Sequence, residues 1–437
     1  MREFMDYIQS AFYAATGWNR DNSYSSLNAT ADALLSFPTP RGLRITLGSL
    51  ATPQFATAYQ LGTVGVVDGS VSYLYSTVSL RNAVAQSARI PLPDLLKSYK
   101  PLVELPRGTI GTGDFLEGWD ASEKNTLAYG RLYLPQSMLE ALVVKRFSPT
   151  LQMQISAVSD QTLRNGGTVL GMVQYDRQRY GIEGLASSDG GLMGVRGLYN
   201  FGGDAENLKT PYGSSNDVAT GNGIGEREGI YGRFSTGAEL YYGTLNKSGG
   251  MSMGVRFATL PTYRGTPLTA TMTINPLMGN ISWSYAVMAG KFCSLATRMD
   301  FNVYSYESEW AVGTELWRRR KSSWAVDAGK ESPAPEQAPP PKLERSFQAK
   351  IEWRLDDPLP APEPPEMQSA PKELPQAEED NDKYSGVLKA RLDQHLKIGL
   401  LWEGRVKSLL FSLGSGIDLR RLDTPFRSLG LEVQFSS

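Results

Sequence analysis

The sequence predicts an all-β protein: a closed transmembrane antiparallel β-barrel of about nineteen strands behind a short N-terminal helical segment. Three observations carry that reading. Apolar and polar residues alternate with period two in run after run, the signature of strands with one apolar and one polar face. Most runs have the length that crosses a bilayer at a tilt, about 9 to 11 residues. No stretch offers the roughly 20 apolar residues of a spanning helix. The two long uncharged stretches, 45–67 and 265–290, are broken by Pro53 and by Pro267 and Pro276, and they read as hairpins.

The totals agree. A soluble chain of 437 residues would be expected to split into several domains, whereas a barrel faces lipid and can use most of the chain in one sheet. The mean hydropathy of −0.30 is what strands give when each averages an apolar with a polar face. Lys+Arg 44 against Asp+Glu 45 leaves a net charge of −1, so there is no electrostatic case for a nucleic-acid partner. One cysteine, Cys293, and one histidine, His395, exclude an internal disulfide framework and a Cys/His zinc site. Arg2, Glu3 and Asp6 precede any apolar run, which fits neither a secretory signal nor an acid-poor presequence. No catalytic, cofactor or metal site is expected. Gly221-Asn222-Gly223-Ile224-Gly225 lacks the Lys-Ser/Thr of a phosphate-binding loop, and Glu378-Glu379-Asp380 sits in a solvated segment.

In chain order, residues 1–42 form the N-terminal segment. Phe4, Ile8, Ala11 and Ala15, with Phe12 beside them, recur at helical spacing, and a second short helix is expected from Asn28 as cap to a stop at Pro38 and Pro40. The barrel occupies 43–437, and the segment before it is expected inside or across the lumen. Leu43, Ile45 and Leu47 open the first strand; 55–62 and 69–78 follow, the latter with Val71, Tyr73 and Tyr75 on one face. Residues 82–125, with Pro91, Pro93, Pro101 and Pro106, form a long connection.

Strands resume over 125–134, 139–147, 151–158, 168–177, 180–187 and 192–201, joined by turns such as Asn165-Gly166-Gly167 and Asp189-Gly190-Gly191. After a Gly-rich loop at 202–229, the clearest alternation runs from Gly229 to Trp317. There Arg233, Glu239, Arg256, Arg298 and Asp300 stand opposite the apolar rows, as a mixed-sign lumen requires. Segments 329–342 and 356–383 are Pro- and acid-rich loops, with a strand over 347–355 between them that puts Lys350 and Glu352 on its polar side. Further strands carry Leu388, Ile398, Trp402 and Phe411.

The last strand alternates Leu429, Leu431, Val433 and Phe435 with Ser428, Gly430, Glu432 and Gln434. Ser428, Gly430, Val433 and Phe435 fit polar-x-Gly-x-x-hydrophobic-x-hydrophobic, which resembles the sorting signal on the last strand of mitochondrial outer-membrane barrels. An odd strand number makes the first and last strands parallel.

The combination Phe4-Met5-Asp6-Tyr7-Ile8, Asn22-Ser23-Tyr24, Asp68 to Ser76, Tyr129-Gly130-Arg131-Leu132-Tyr133, Asp300 to Ser305 and Leu401-Trp402-Glu403-Gly404-Arg405 resembles the fungal mitochondrial distribution and morphology protein 10 family over nearly the whole chain. The resemblance implies a nineteen-stranded outer-membrane barrel, related in architecture to the voltage-dependent anion channel and without enzymatic activity. It implies two assemblies at ER–mitochondria contact sites and in the outer membrane. In the ER–mitochondria encounter structure the partners would be lipid-transfer and membrane-anchor subunits; in the sorting and assembly machinery, its core barrel and peripheral subunits. It also tilts Tyr73 and Tyr75 towards the tether, and Met299 and Phe301 towards the machinery. The rival readings are a metabolite channel of the anion-channel type and a soluble all-β carbohydrate-binding or hydrolytic protein.

Overall fold

The computed structural model describes residues 1–437 except 65, 82, 103–124, 162, 164–165, 202–231, 262–264, 291, 320–383 and 421–425. The chain divides into two compact units, Met1–Arg318 with Tyr384–Ser437, and Arg319–Lys383. The first holds a nineteen-stranded sheet. The strand expected at 347–355, with Lys350 and Glu352, and the loops at 202–229, 329–342 and 356–383 fall outside the described residues.

The first nine strands are β1 (Gly42–Thr52), β2 (Phe55–Val64), β3 (Val66–Ser76), β4 (Thr126–Leu134), β5 (Met138–Arg146), β6 (Leu151–Ser159), β7 (Gly167–Asp176), β8 (Tyr180–Ser187) and β9 (Leu192–Phe201). The rest are β10 (Gly232–Gly243), β11 (Ser248–Thr259), β12 (Leu268–Asn275), β13 (Asn280–Met288), β14 (Cys293–Asn302), β15 (Ser308–Arg319), β16 (Tyr384–Asp393), β17 (Lys397–Val406), β18 (Leu409–Asp418) and β19 (Phe426–Ser436). Each neighbours the next in sequence, and β1 also pairs with β19, so the sheet closes on itself and leaves no open edge. The β1–β19 pairing is parallel, from Gly42↔Gly430 to Gly48↔Ser436, as an odd strand number demands.

Period-two alternation sorts the two faces. Leu43, Ile45, Leu47, Tyr59, Met253 and Trp283 are exposed on the outside, while Ser72, Arg256, Glu315, Lys389 and Glu403 are buried on the inside. Tight turns set the register: Gly190 and Gly191 both take positive φ between β8 and β9, as expected from Asp189-Gly190-Gly191. No described helix is long and apolar enough to cross a membrane.

Two helices precede the sheet, α1 (Phe4–Ala15) and α2 (Ala29–Leu35), with a 3-10 turn at Tyr24–Ser26 between them. Phe4, Ile8 and Phe12 of α1 are fully buried against Ala56, Leu74, Leu127 and Val144, which lie on the inward rows of β2 to β5; Ala15 is exposed. Burial of such side chains contributes about 1.5–3 kcal/mol each. Asn28 stands at the N-cap of α2 as expected, but its side chain makes no capping hydrogen bond. Leu34 and Leu35 pack on Ala286, Ala296 and Ala311, alanines that leave the inner wall low enough to admit a helix.

Candidate functional site

The described inner wall is held to two segments of the chain by its cationic side chains. Arg131 of β4 donates to Glu3 at 2.7 Å, and Arg256 of β11 donates to the Ser26 carbonyl at 3.2 Å. Arg298 of β14 reaches Asp32 at 3.4 Å and the Ser36 hydroxyl at 3.3 Å, while Arg391 of β16 donates to the Leu35 and Phe37 carbonyls, both at 3.2 Å. Arg405 of β17 donates to three carbonyls of the connection after β3, those of Ser87 (3.2 Å), Ala88 (2.8 Å) and Ile90 (2.8 Å). Lys389 donates to the Lys97 carbonyl and lies 3.6 Å from Glu403, with both side chains buried. A guanidinium with five donors suits carbonyls left unpaired in an irregular segment.

Glycines complete the fit. A Cβ at Gly48 would lie 2.5 Å from the Phe4 ring, one at Gly237 2.7 Å from Tyr24, and one at Gly313 2.7 Å from the Leu34 carbonyl. These inward positions are glycine because another segment passes where a side chain would stand.

Residues 77–102 carry a feature that alternation does not reveal. They contain a one-turn helix, α3 (Leu92–Leu95), and Ile90, Leu92, Leu95 and Leu96 are fully buried with Val387 and Leu410. The only sequence signal was four aliphatic residues among prolines. Tyr99 closes the stretch, its hydroxyl 3.3 Å from that of Thr269, and burial pushes its phenol up so that it stays neutral.

The outer wall holds two aromatic patches. Tyr73 and Tyr75 of β3 are half-exposed, and the Tyr73 ring stacks on Phe55 of β2 with centroids 5.9 Å apart. On the other patch, Met272, Trp283, Met299 and Trp310 fall in one cross-strand row over β12 to β15. They border a hollow of about 570 Å³ whose lining includes Ala270, Thr297, Phe257 and Tyr285. Phe301 lies two residues along β14 from Met299, paired with Ile281 and Ser308. Met299 is thus flanked by two tryptophans, which supply the aromatic surface its own side chain lacks. From β3 to β14 is eight strands one way and eleven the other, so the patches stand on nearly opposite walls.

The terminal strand has one face on each side. Val433 and Phe435 pair with Ile45 and Leu47 on the outer rows, and Gly430 is buried. A Cβ at Gly430 would lie 2.4 Å from the backbone of Pro40, so the turn that leads into β1 lies directly over it. Gly430 therefore has a packing reason as well as its place in the polar-x-Gly pattern. Ser428 sits near the start of β19 opposite Gly416. Among the described residues no group of three or more His, Cys, Asp or Glu could hold a metal ion.

A family model described as Mitochondrial distribution and morphology protein 10 matches residues 1–437. Relatives bearing that name are 60% identical in Chaetomium globosum, over 95% of this chain and 99% of theirs, and 58% identical in Podospora anserina, over the whole of both chains. A third, from Neurospora crassa, is 57% identical, again over the whole of both chains. Among solved structures, a triple mutant of a Rhodopseudomonas blastica porin covers 60% of this chain and 83% of its own at 11% identity, with a TM-score of 0.29; the fold assignment rests on the strand pairing instead.

Proposed function

The chain belongs to the mitochondrial distribution and morphology protein 10 family, and from that premise we propose that it is a non-enzymatic barrel of the mitochondrial outer membrane that acts as an anchor through its outer wall. At ER–mitochondria contact sites it holds the lipid-transfer and membrane-anchor subunits of the encounter structure. In a second assembly it joins the core barrel and peripheral subunits of the sorting and assembly machinery. Tyr73 and Tyr75 serve the tether, Met299 and Phe301 serve the machinery, and Ser428, Gly430, Val433 and Phe435 serve insertion of the chain itself. The observation that carries the reading is the combination of the whole-chain family match with an inner wall engaged by the chain's own segments. That filling weighs against the metabolite-channel reading, in which the lumen cations would face water and solute. The near-opposite placement of the two aromatic patches supports two partners held at separate surfaces.

Affinity purification of a tagged copy tests it. The Tyr73→Ala/Tyr75→Ala variant should lose the tether subunits and keep the machinery, and Met299→Ala/Phe301→Ala the reverse. Equal weakening of both by either variant would show that the patches report barrel stability, and recovery of neither assembly with the unaltered chain would overturn the reading.

A further inference from the structure

The barrel closes where β1 meets β19, its parallel seam, with seven residue pairs from Gly42↔Gly430 to Gly48↔Ser436. Parallel ladders are slightly less stable per residue than antiparallel ones. The partners are also the first and last strands, so their contact carries the largest loop-closure cost in the sheet. Something besides the ladder should hold them.

The connection 77–102 spans this place from within. It leaves β3, and Leu80 N–H donates to the Pro53 carbonyl in the turn between β1 and β2, at 2.7 Å. Beyond the seam, Ser87 N–H donates to the Ser436 carbonyl at 3.1 Å, and the Ser436 hydroxyl donates back to the Ala85 carbonyl at 2.7 Å. The Ser87 hydroxyl donates to the Ser408 carbonyl just before β18, and Arg405 of β17 grips the carbonyls of Ser87, Ala88 and Ile90. Ile90 and Leu92 then bury themselves against Val387 of β16 and Leu410 of β18. One short segment is thus fastened on both sides of the joint, with its carbonyls and apolar side chains satisfied by strands it does not adjoin in sequence.

We propose that residues 77–102 are an internal latch that holds the β1–β19 seam closed, so that seam and latch open and shut as one unit. The rest of the barrel, joined by antiparallel hairpins, does not depend on it. Because Ser436 is taken by the latch, the C-terminal end of the inner face of β19 is accessible only while the latch is undocked.

Amide hydrogen exchange on the purified full chain in detergent micelles tests this. In the unaltered protein, amides of 85–96 and of the two seam strands should share one opening, with the same rates and the same rise in denaturant, while β7 and β8 stay protected. In Ser87→Ala/Arg405→Met, seam exchange should rise at least tenfold with β7 and β8 unchanged. Seam amides that open while the latch stays protected in the unaltered chain would overturn the proposal. So would a variant that loosens the latch and leaves the seam as before, or one that speeds every strand alike.

Discussion

The two faces of one sheet obey the same period of two and are specified by different neighbours. On the inner face the chain reads itself: Gly48, Gly313 and Gly430 meet ring or backbone atoms at distances that leave no room for a Cβ. On the outer face, Gly184 and Gly197 would place a Cβ in open space, and Leu43, Ile45 and Trp283 make their exposed contacts with surroundings that ask only for apolar surface. Inside, shape is set by segments distant in sequence; outside, crowded glycines such as Gly232 and Gly404 meet only adjacent strands, at the Phe257 and Phe411 rings, and the remaining surface asks chiefly for hydrophobicity. The difference suits the anchoring role proposed above, with the inner wall engaged by the chain's own segments and the outer wall free to meet partners.

The sharpest way to break this contrast is to empty the inner face. Phe4→Ala removes a fully buried ring from the α1 cluster and should lower stability by about 3–5 kcal/mol, read as a shift in the denaturant midpoint of the reconstituted barrel. Overfilling comes next. Gly313→Val would push a side chain into the Leu34 carbonyl and should cost about 1–3 kcal/mol. On the outer wall, Tyr73→Ala/Tyr75→Ala should shift stability by no more than about 1 kcal/mol while removing a partner, which separates recognition from folding. The smallest effect belongs to Gly197→Ala, whose new methyl group meets nothing and should change stability by less than about 0.5 kcal/mol. A large loss there would mean that the outer face is shaped as tightly as the inner one.

Much of this architecture is legible in the chain. Leu268, Ala270, Met272 and Ile274 against Thr269, Thr271 and Thr273 could be only a strand, and Phe4, Ile8 and Phe12 could share only a helical face. Strand parity foretold the parallel seam. The latch escaped because a single helical turn has no periodicity and because its prolines argue for a solvated loop; its burial depends on Arg405 and Leu410, more than 300 positions away. The inward glycines were equally silent. Gly430 looks like part of a pattern until Pro40 is seen to cross it. The patches at Tyr73 and Met299 could be assigned to the outside by alternation, while their separation around the wall needed the closed sheet.

The claim that the lumen serves the chain's own segments meets its most direct test in planar bilayers. The purified full-length barrel, inserted and folded by the criterion of a protected sheet, should show no steady open state. A stable, voltage-dependent conductance with the selectivity of unengaged lumen cations would contradict the account and restore the channel reading.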